Sequence, residues 1–202
     1  MSCNHKFSND LQLEYVDWEP LTLFIGTFNP GWKECKNNYA LWFYGRTQRN
    51  NFWCILPTLY GQQPLLNGNR ETWINFCRLN KIAITDLIYS IDADVNNQNH
   101  REKICKFRDD SLTNFKITTN DIPAILKKYP TIKQVFITRQ TISKSLKLCL
   151  TDTLNYLQQD QNRQINLIYL RSPSRGAIKG VVGNFCHFVS EKWIEQGFQA
   201  IT

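Results

Sequence analysis

Two short segments, far apart in the chain, carry the side chains best suited to chemistry. Ile25-Gly26-Thr27-Phe28-Asn29-Pro30-Gly31 leaves an apolar run, and so does Tyr169-Leu170-Arg171-Ser172-Pro173-Ser174-Arg175-Gly176. Asn29 does not titrate, so it is no true base. Its carbonyl oxygen can still accept a hydrogen bond from a water and aim that water at a nearby carbon, which is catalysis by positioning. Ser172, Ser174 and the free amides around them are donors suited to phosphate oxygens. Each segment also has a plain structural account: Asn-Pro-Gly favours a tight turn, and the serine loop is a polar strand-to-helix connection.

A third segment, Tyr44-Gly45-Arg46-Thr47-Gln48-Arg49-Asn50-Asn51-Phe52-Trp53, mixes arginines, amides and aromatics. Phe52 and Trp53 fall at helical spacing and suit a core. Phe43 and Tyr44 precede polar turns, where a ring can stack on a base. His5, His100 and His187 show no metal-ligand grouping.

The elements that must position these residues read as strands alternating with helices. Leu21–Ile25 is apolar on both faces, the mark of a buried parallel strand. Residues 27–49 form a long loop rich in aromatics. Asn50 or Asn51 caps a helix carrying Phe52, Trp53, Leu56 and Leu59, with Pro57 ending or kinking it. A short helix over Arg70–Leu79 precedes a strand at Ile82–Ile84. Asn120-Asp121-Ile122-Pro123 starts another helix, and Ile132–Thr138 is a β-branched strand. Ile142, Leu146, Cys149, Leu150, Leu154 and Leu157 predict one long amphipathic helix. A strand over Ile165–Leu170 and a helix over Phe185–Gln196 complete a parallel sheet covered on both faces. Residues 90–118 resist ordering.

The chain has 202 residues, enough for one substantial core and short for two domains. A single domain over 1–202 is expected, with residues 1–20 as an N-terminal extension and 90–118 as an insertion. The formal net charge is +7, from 24 Lys and Arg against 17 Asp and Glu, which suits a polyanionic partner. Seven scattered cysteines, without a Cys-x-x-Cys pair, predict reduced thiols and no metal site. The polar amino terminus lacks a signal core, and no run approaches the ~20 apolar residues of a membrane span. The expectation is an intracellular protein, cytoplasmic and in a bacterium nucleoid-associated, away from membranes.

Taken in order, Gly26-x-x-Asn29-Pro30-Gly31 after a strand, Tyr44 and Asn50-Asn51-Phe52-Trp53 opening a helix, and a late strand running into Ser172-Pro173-Ser174 resemble the uracil-DNA glycosylase superfamily. The Asn-Pro-Gly turn and Asn50–Trp53 are similar to its mismatch-specific thymine/uracil branch. Gly26-Thr27-Phe28 and Asn120–Leu126 are similar to its hypoxanthine-DNA glycosylase branch. The likeness runs from about residue 21 to 196. It implies a three-layer α/β/α sandwich with a mostly parallel central sheet. It also implies a monofunctional enzyme that flips a deaminated base out of DNA and hydrolyses its bond to the sugar, without metal or cofactor, as a monomer. On that resemblance Asn29 and Asn50 are catalytic and Phe28, Phe43 and Tyr44 hold the base. Ser172, Pro173, Ser174, Arg175 and Arg46 contact DNA, with Arg175 filling the hole left by the flipped nucleotide. Two departures stand out: two residues, Thr27 and Phe28, separate the Gly from Asn-Pro where the mismatch branch has one, and the late motif begins with Ser172 where His or Asn is common. They motivate an alternative, a catalytically inactive DNA-binding protein of the same fold; a further one is a small-molecule α/β enzyme using the Ser172–Gly176 loop for a nucleotide phosphate.

Overall fold

The computed structural model describes residues 2–112, 114–160, 163–177, 180–181 and 183–201. Its centre is a four-stranded, all-parallel sheet in the order β3-β2-β6-β7, formed by β2 (Thr22–Gly26), β3 (Ile82–Asp86), β6 (Gln134–Ile137) and β7 (Asn166–Tyr169). Every residue of β2 and β3 is buried, as a strand covered on both faces requires. The alternation of side chains sorts them into two cores. Leu23, Ile25, Ala83, Val135 and Ile137 face a mainly aliphatic one. Phe24, Ile82, Ile84 and Phe136 face one rich in aromatics.

Helices α1 (Phe52–Leu59), α2 (Arg70–Leu79) and α7 (Phe185–Glu195) supply Phe52, Trp53, Trp73 and Trp193 to the aromatic side. On the other side lie α3 (Gln98–Ile104), α4 (Ile122–Lys128), α5 (Lys144–Cys149) and α6 (Thr151–Gln159). The result is the α/β/α sandwich expected from the sequence. Asn69, Asn97, Asp121 and Asn184 accept hydrogen bonds from first-turn amides of α2, α3, α4 and α7, as N-cap chemistry favours.

Four readings change. Residues 90–118 do not stand apart: β4 (Ile88–Asp92) pairs antiparallel with β5 (Lys116–Thr119) and with β1 (Cys3–Asn4) in a second sheet. Residues 1–20 are no appendage either. Cys3, Leu11 and Leu13 are fully buried, and the Asp10 carboxylate accepts from Trp42 Nε1 at 2.9 Å. The long helix expected from Ile142 to Leu157 is two, α5 and α6, meeting at Leu150. Of the two roles read for Pro57, ending or kinking α1, the first falls away, since the helix runs on to Leu59. The reduced-thiol expectation is also corrected. Cys35 pairs with Cys105 and Cys54 with Cys186, across sequence separations of 70 and 132 and Cα–Cα distances of 4.9 and 6.1 Å. Spacing along the chain carries no sign of pairings made only by the fold. Among the described residues, no helix is long and apolar enough to cross a membrane.

Candidate active site

Parallel strands place ligand sites beyond their carboxyl ends. Here the register sets Gly26, last in β2, beside Asp86, last in β3, and Thr138 follows β6, its amide on Ile25 O. A cavity of about 170 Å³ opens at this edge, between the 26–29 turn, the 44–50 loop, the 107–109 segment and the 172–174 turn. The shortness of Gly26 is what the floor needs: a Cβ there would collide with the Asp86 carboxylate and the Tyr44 hydroxyl.

Asn29 lines the cavity yet is only 8 % exposed. Its Oδ1 accepts from Asn38 Nδ2 at 2.6 Å, and the same Asn38 amide donates to Pro30 O at 2.7 Å. Pro30 O can only accept, so it fixes which end of Asn38 carries the hydrogens, and thereby turns the Asn29 oxygen toward Asn38. Among the described residues, one Oδ1 lone pair and the Asn29 NH₂ are left over. Asn50 also lines the cavity, but its Oδ1 accepts from Phe52 N at 2.8 Å and so closes the first turn of α1.

Asp86 and His5 were not singled out from sequence. Asp86 lines the cavity, and its Oδ2 lies 2.8 Å from Nε2 of the buried His5. His5 Nδ1 accepts from Phe7 N at 3.0 Å. A nitrogen that accepts carries no proton, so in the neutral ring the hydrogen sits on Nε2 and points at Asp86. The carboxylate is thereby aimed by a histidine drawn from the N-terminal segment, whose bridge to Pro30 also lays Lys6 N on Asn29 O at 2.7 Å. A carboxylate closing an otherwise apolar strand, Ile82-Ala83-Ile84-Thr85-Asp86, was a legible signal. For His5 the sequence offered none.

Among the aromatics, Phe28 and Tyr44 line the cavity and Phe43 does not. Phe43 is 1 % exposed, packed against His5 and Phe7, which corrects its assignment to the base. Tyr44 sits at φ +56°, a backbone state that is strained for a bulky residue. Its ring stacks on Phe52 at 3.9 Å, and its hydroxyl lies 2.8 Å from Thr138 Oγ1. Burial, then the Asp86 charge, push its phenol well above the ordinary range, so it remains a neutral O–H.

On the opposite wall, the Arg46 guanidinium lies 3.5 Å from the Phe107 ring centre and 5.9 Å from that of Tyr39. Arg139 pairs with Asp109 and Asp110. Burial nonetheless pushes the Asp109 carboxyl up, against the pull of Arg139. Ser172, Pro173 and Ser174 complete the mouth. The Ser172 and Ser174 hydroxyl oxygens accept from Ser174 N and Gly176 N at 3.2 and 3.3 Å, leaving their O–H groups to donate outward. Arg175 is exposed and folds back, its Nε donating to Asn51 Oδ1 at 3.2 Å and its amide to Arg49 O. A shallower groove of about 600 Å³ continues from the mouth past Arg108, Arg139 and Arg171.

This architecture has a solved counterpart. The solution NMR structure of a "putative Uracil DNA glycosylase" from Methanosarcina acetivorans superposes with a TM-score of 0.53 over 91 % of this chain and 94 % of that one, at 15 % sequence identity. At that identity the likeness is one of fold. No protein-family model and no curated protein matches the chain.

Proposed function

We propose that the protein is a DNA glycosylase that hydrolyses the bond between a flipped-out deaminated base and its sugar. The observation that carries this reading is the convergence, at the carboxyl edge of the parallel sheet, of a fixed Asn29, a carboxylate aimed by histidine, and a serine turn at the mouth. The fold shared with the Methanosarcina protein supports it. In this mechanism Asn29 positions a water and Asp86 accepts its proton as the water oxygen bonds to C1′. The C1′–N bond breaks with its electron pair leaving on the base, and the proton passes on to the base. Phe28 and Tyr44 enclose the base, and Ser172 and Ser174 hold the flanking phosphates. Flipping costs a few kcal/mol, least at a lesion or mismatch. The enzyme acts inside the cell, as a monomer, on uracil or hypoxanthine.

The test is base release. Oligonucleotides carrying uracil, hypoxanthine or a thymine mismatch are incubated with the protein and treated with alkali. Cleavage at one lesion, lost in Asn29→Ala, supports the reading. Lesion-selective binding without any cleavage would replace it with a non-catalytic DNA-binding protein of the same fold.

A further inference from the structure

The water side of the cavity holds Asn29 and Asp86, but the base that departs takes a negative charge with it. Ser172 contributes to the mouth only a neutral hydroxyl, a weak partner for an anion. Three arginines, Arg46, Arg49 and Arg139, line the cavity, and Arg46 is the one whose guanidinium is held by stacking on a ring. Its Nε is buried without a hydrogen-bond partner. Among the described residues no carboxylate pairs with it, whereas Arg139 is held by two. Its guanidinium is fixed by stacking on Phe107 at 3.5 Å, so its direction costs little reorganisation during reaction. Burial, with the nearby Arg49 cation and against the pull of Tyr39, holds the guanidinium below the ordinary arginine range. A preorganised, uncompensated guanidinium in a cavity is a site awaiting negative charge.

We infer that Arg46 is a catalytic residue that stabilises the negative charge developing on the base as the C1′–N bond breaks, and so supplies what Ser172 cannot. This rests on the glycosylase reading above. Arg46 offers N–H donors and no acceptor. Keto oxygens fit it and exocyclic amino groups do not, which ties the residue to deaminated bases as a class. The guanidinium stays protonated throughout, and the electron pair of the broken bond stays on the base until the base takes up the proton released by the water.

The rival role for Arg46 is a clamp on a DNA phosphate, and leaving-group dependence separates the two. Single-turnover base release would be measured for wild type, Arg46→Gln and Arg46→Lys on oligonucleotides carrying uracil or 5-fluorouracil. The latter leaves as a more stable anion. Should hypoxanthine be the base released, the pair is hypoxanthine and its more acidic 8-aza analogue. The inference expects Arg46→Gln to lose about 10²-fold in rate on the poorer leaving group and distinctly less on the better one, with binding of substrate unchanged. Arg46→Lys, which keeps the charge but not the planar stack, should fall between, and it carries the test if the glutamine variant is unstable in a thermal melt. Equal losses on both substrates, with weaker binding and a shallower salt dependence, would overturn the inference in favour of the clamp. Wild-type rates in both variants would overturn it outright. Those outcomes leave the glycosylase reading standing. Only a wild type that releases no base removes that reading, and this inference with it.

Discussion

On the floor of the cavity, Asn29 and Asp86 each have one oxygen tied by a dedicated neighbour, Asn38 in one case and His5 in the other. At the mouth, among the described residues, Ser172 and Ser174 accept only from amides of their own turn, and Arg175 reaches back to Asn51 while staying exposed. Floor residues sit at the ends of fully buried strands or in loops pinned to them. Mouth residues sit on a connection between β7 and α7. The difference matches what the two regions must do. A water has to be aimed at one carbon, and a misplacement of about 1 Å can cost roughly 10²-fold in rate. A phosphate backbone is large, charged and tolerant, and contacts to it fix register without demanding such precision.

The largest effect should come from the floor. Asp86→Asn removes the group that takes the water's proton while keeping its shape, and single-turnover base release should fall by roughly 10²–10⁴-fold. A wild-type rate would reduce Asp86 to scaffold and leave Asn29 alone on the floor. Asn29→Ala should cost about 10²-fold or more with the thermal midpoint kept. Asn38→Ala leaves every reacting group in place and frees the Asn29 amide and the Pro30 carbonyl beside it, so a loss of roughly tenfold is expected. No loss at all would show that pinning Asn29 is irrelevant, and the contrast between floor and mouth would lose half its content.

A smaller effect, on stability, tests how tightly the floor is packed. Gly26→Ala forces a methyl group against Asp86 and Tyr44 and should destabilise the fold by about 1–3 kcal/mol, read from denaturant unfolding. The smallest effects belong to the mouth. Arg175→Ala should leave the rate on saturating DNA unchanged and lower the salt-dependence slope of binding by about 1. A large drop in rate from that variant would mean that Arg175 leaves Asn51 and enters the reaction, and the mouth would no longer be the tolerant region.

Much of the sheet was legible because burial on both faces writes itself as unbroken apolar runs. Leu21–Ile25 and Ile132–Thr138 read correctly, as did the cap at Asn120-Asp121. The N-terminal segment did not, since β1 is two residues long and its neighbours are polar. Its place is set by pairing with β4, where Cys3 meets Ile91 and Asn4 meets Ser90, which no local pattern encodes. The site divides the same way. Asn29 announces itself through a turn after a strand, and Ser172–Ser174 likewise. Phe43 and Tyr44 have the same local character, yet one fills the core and the other reaches the cavity. That outcome depends on which way the chain turns at a residue with positive φ.

By itself, then, the sequence determined the layered α/β class, the strand ends where a ligand can bind, and the amide and hydroxyl groups waiting there, because these follow from the periodicity of burial and from local turn chemistry. Only the tertiary structure decided that His5 aims Asp86, that Asn38 pins Asn29, that Arg46 rests on Phe107, and that four cysteines pair. Each of those joins residues from different elements, and their distances exist only once the strand register and helix packing are in place.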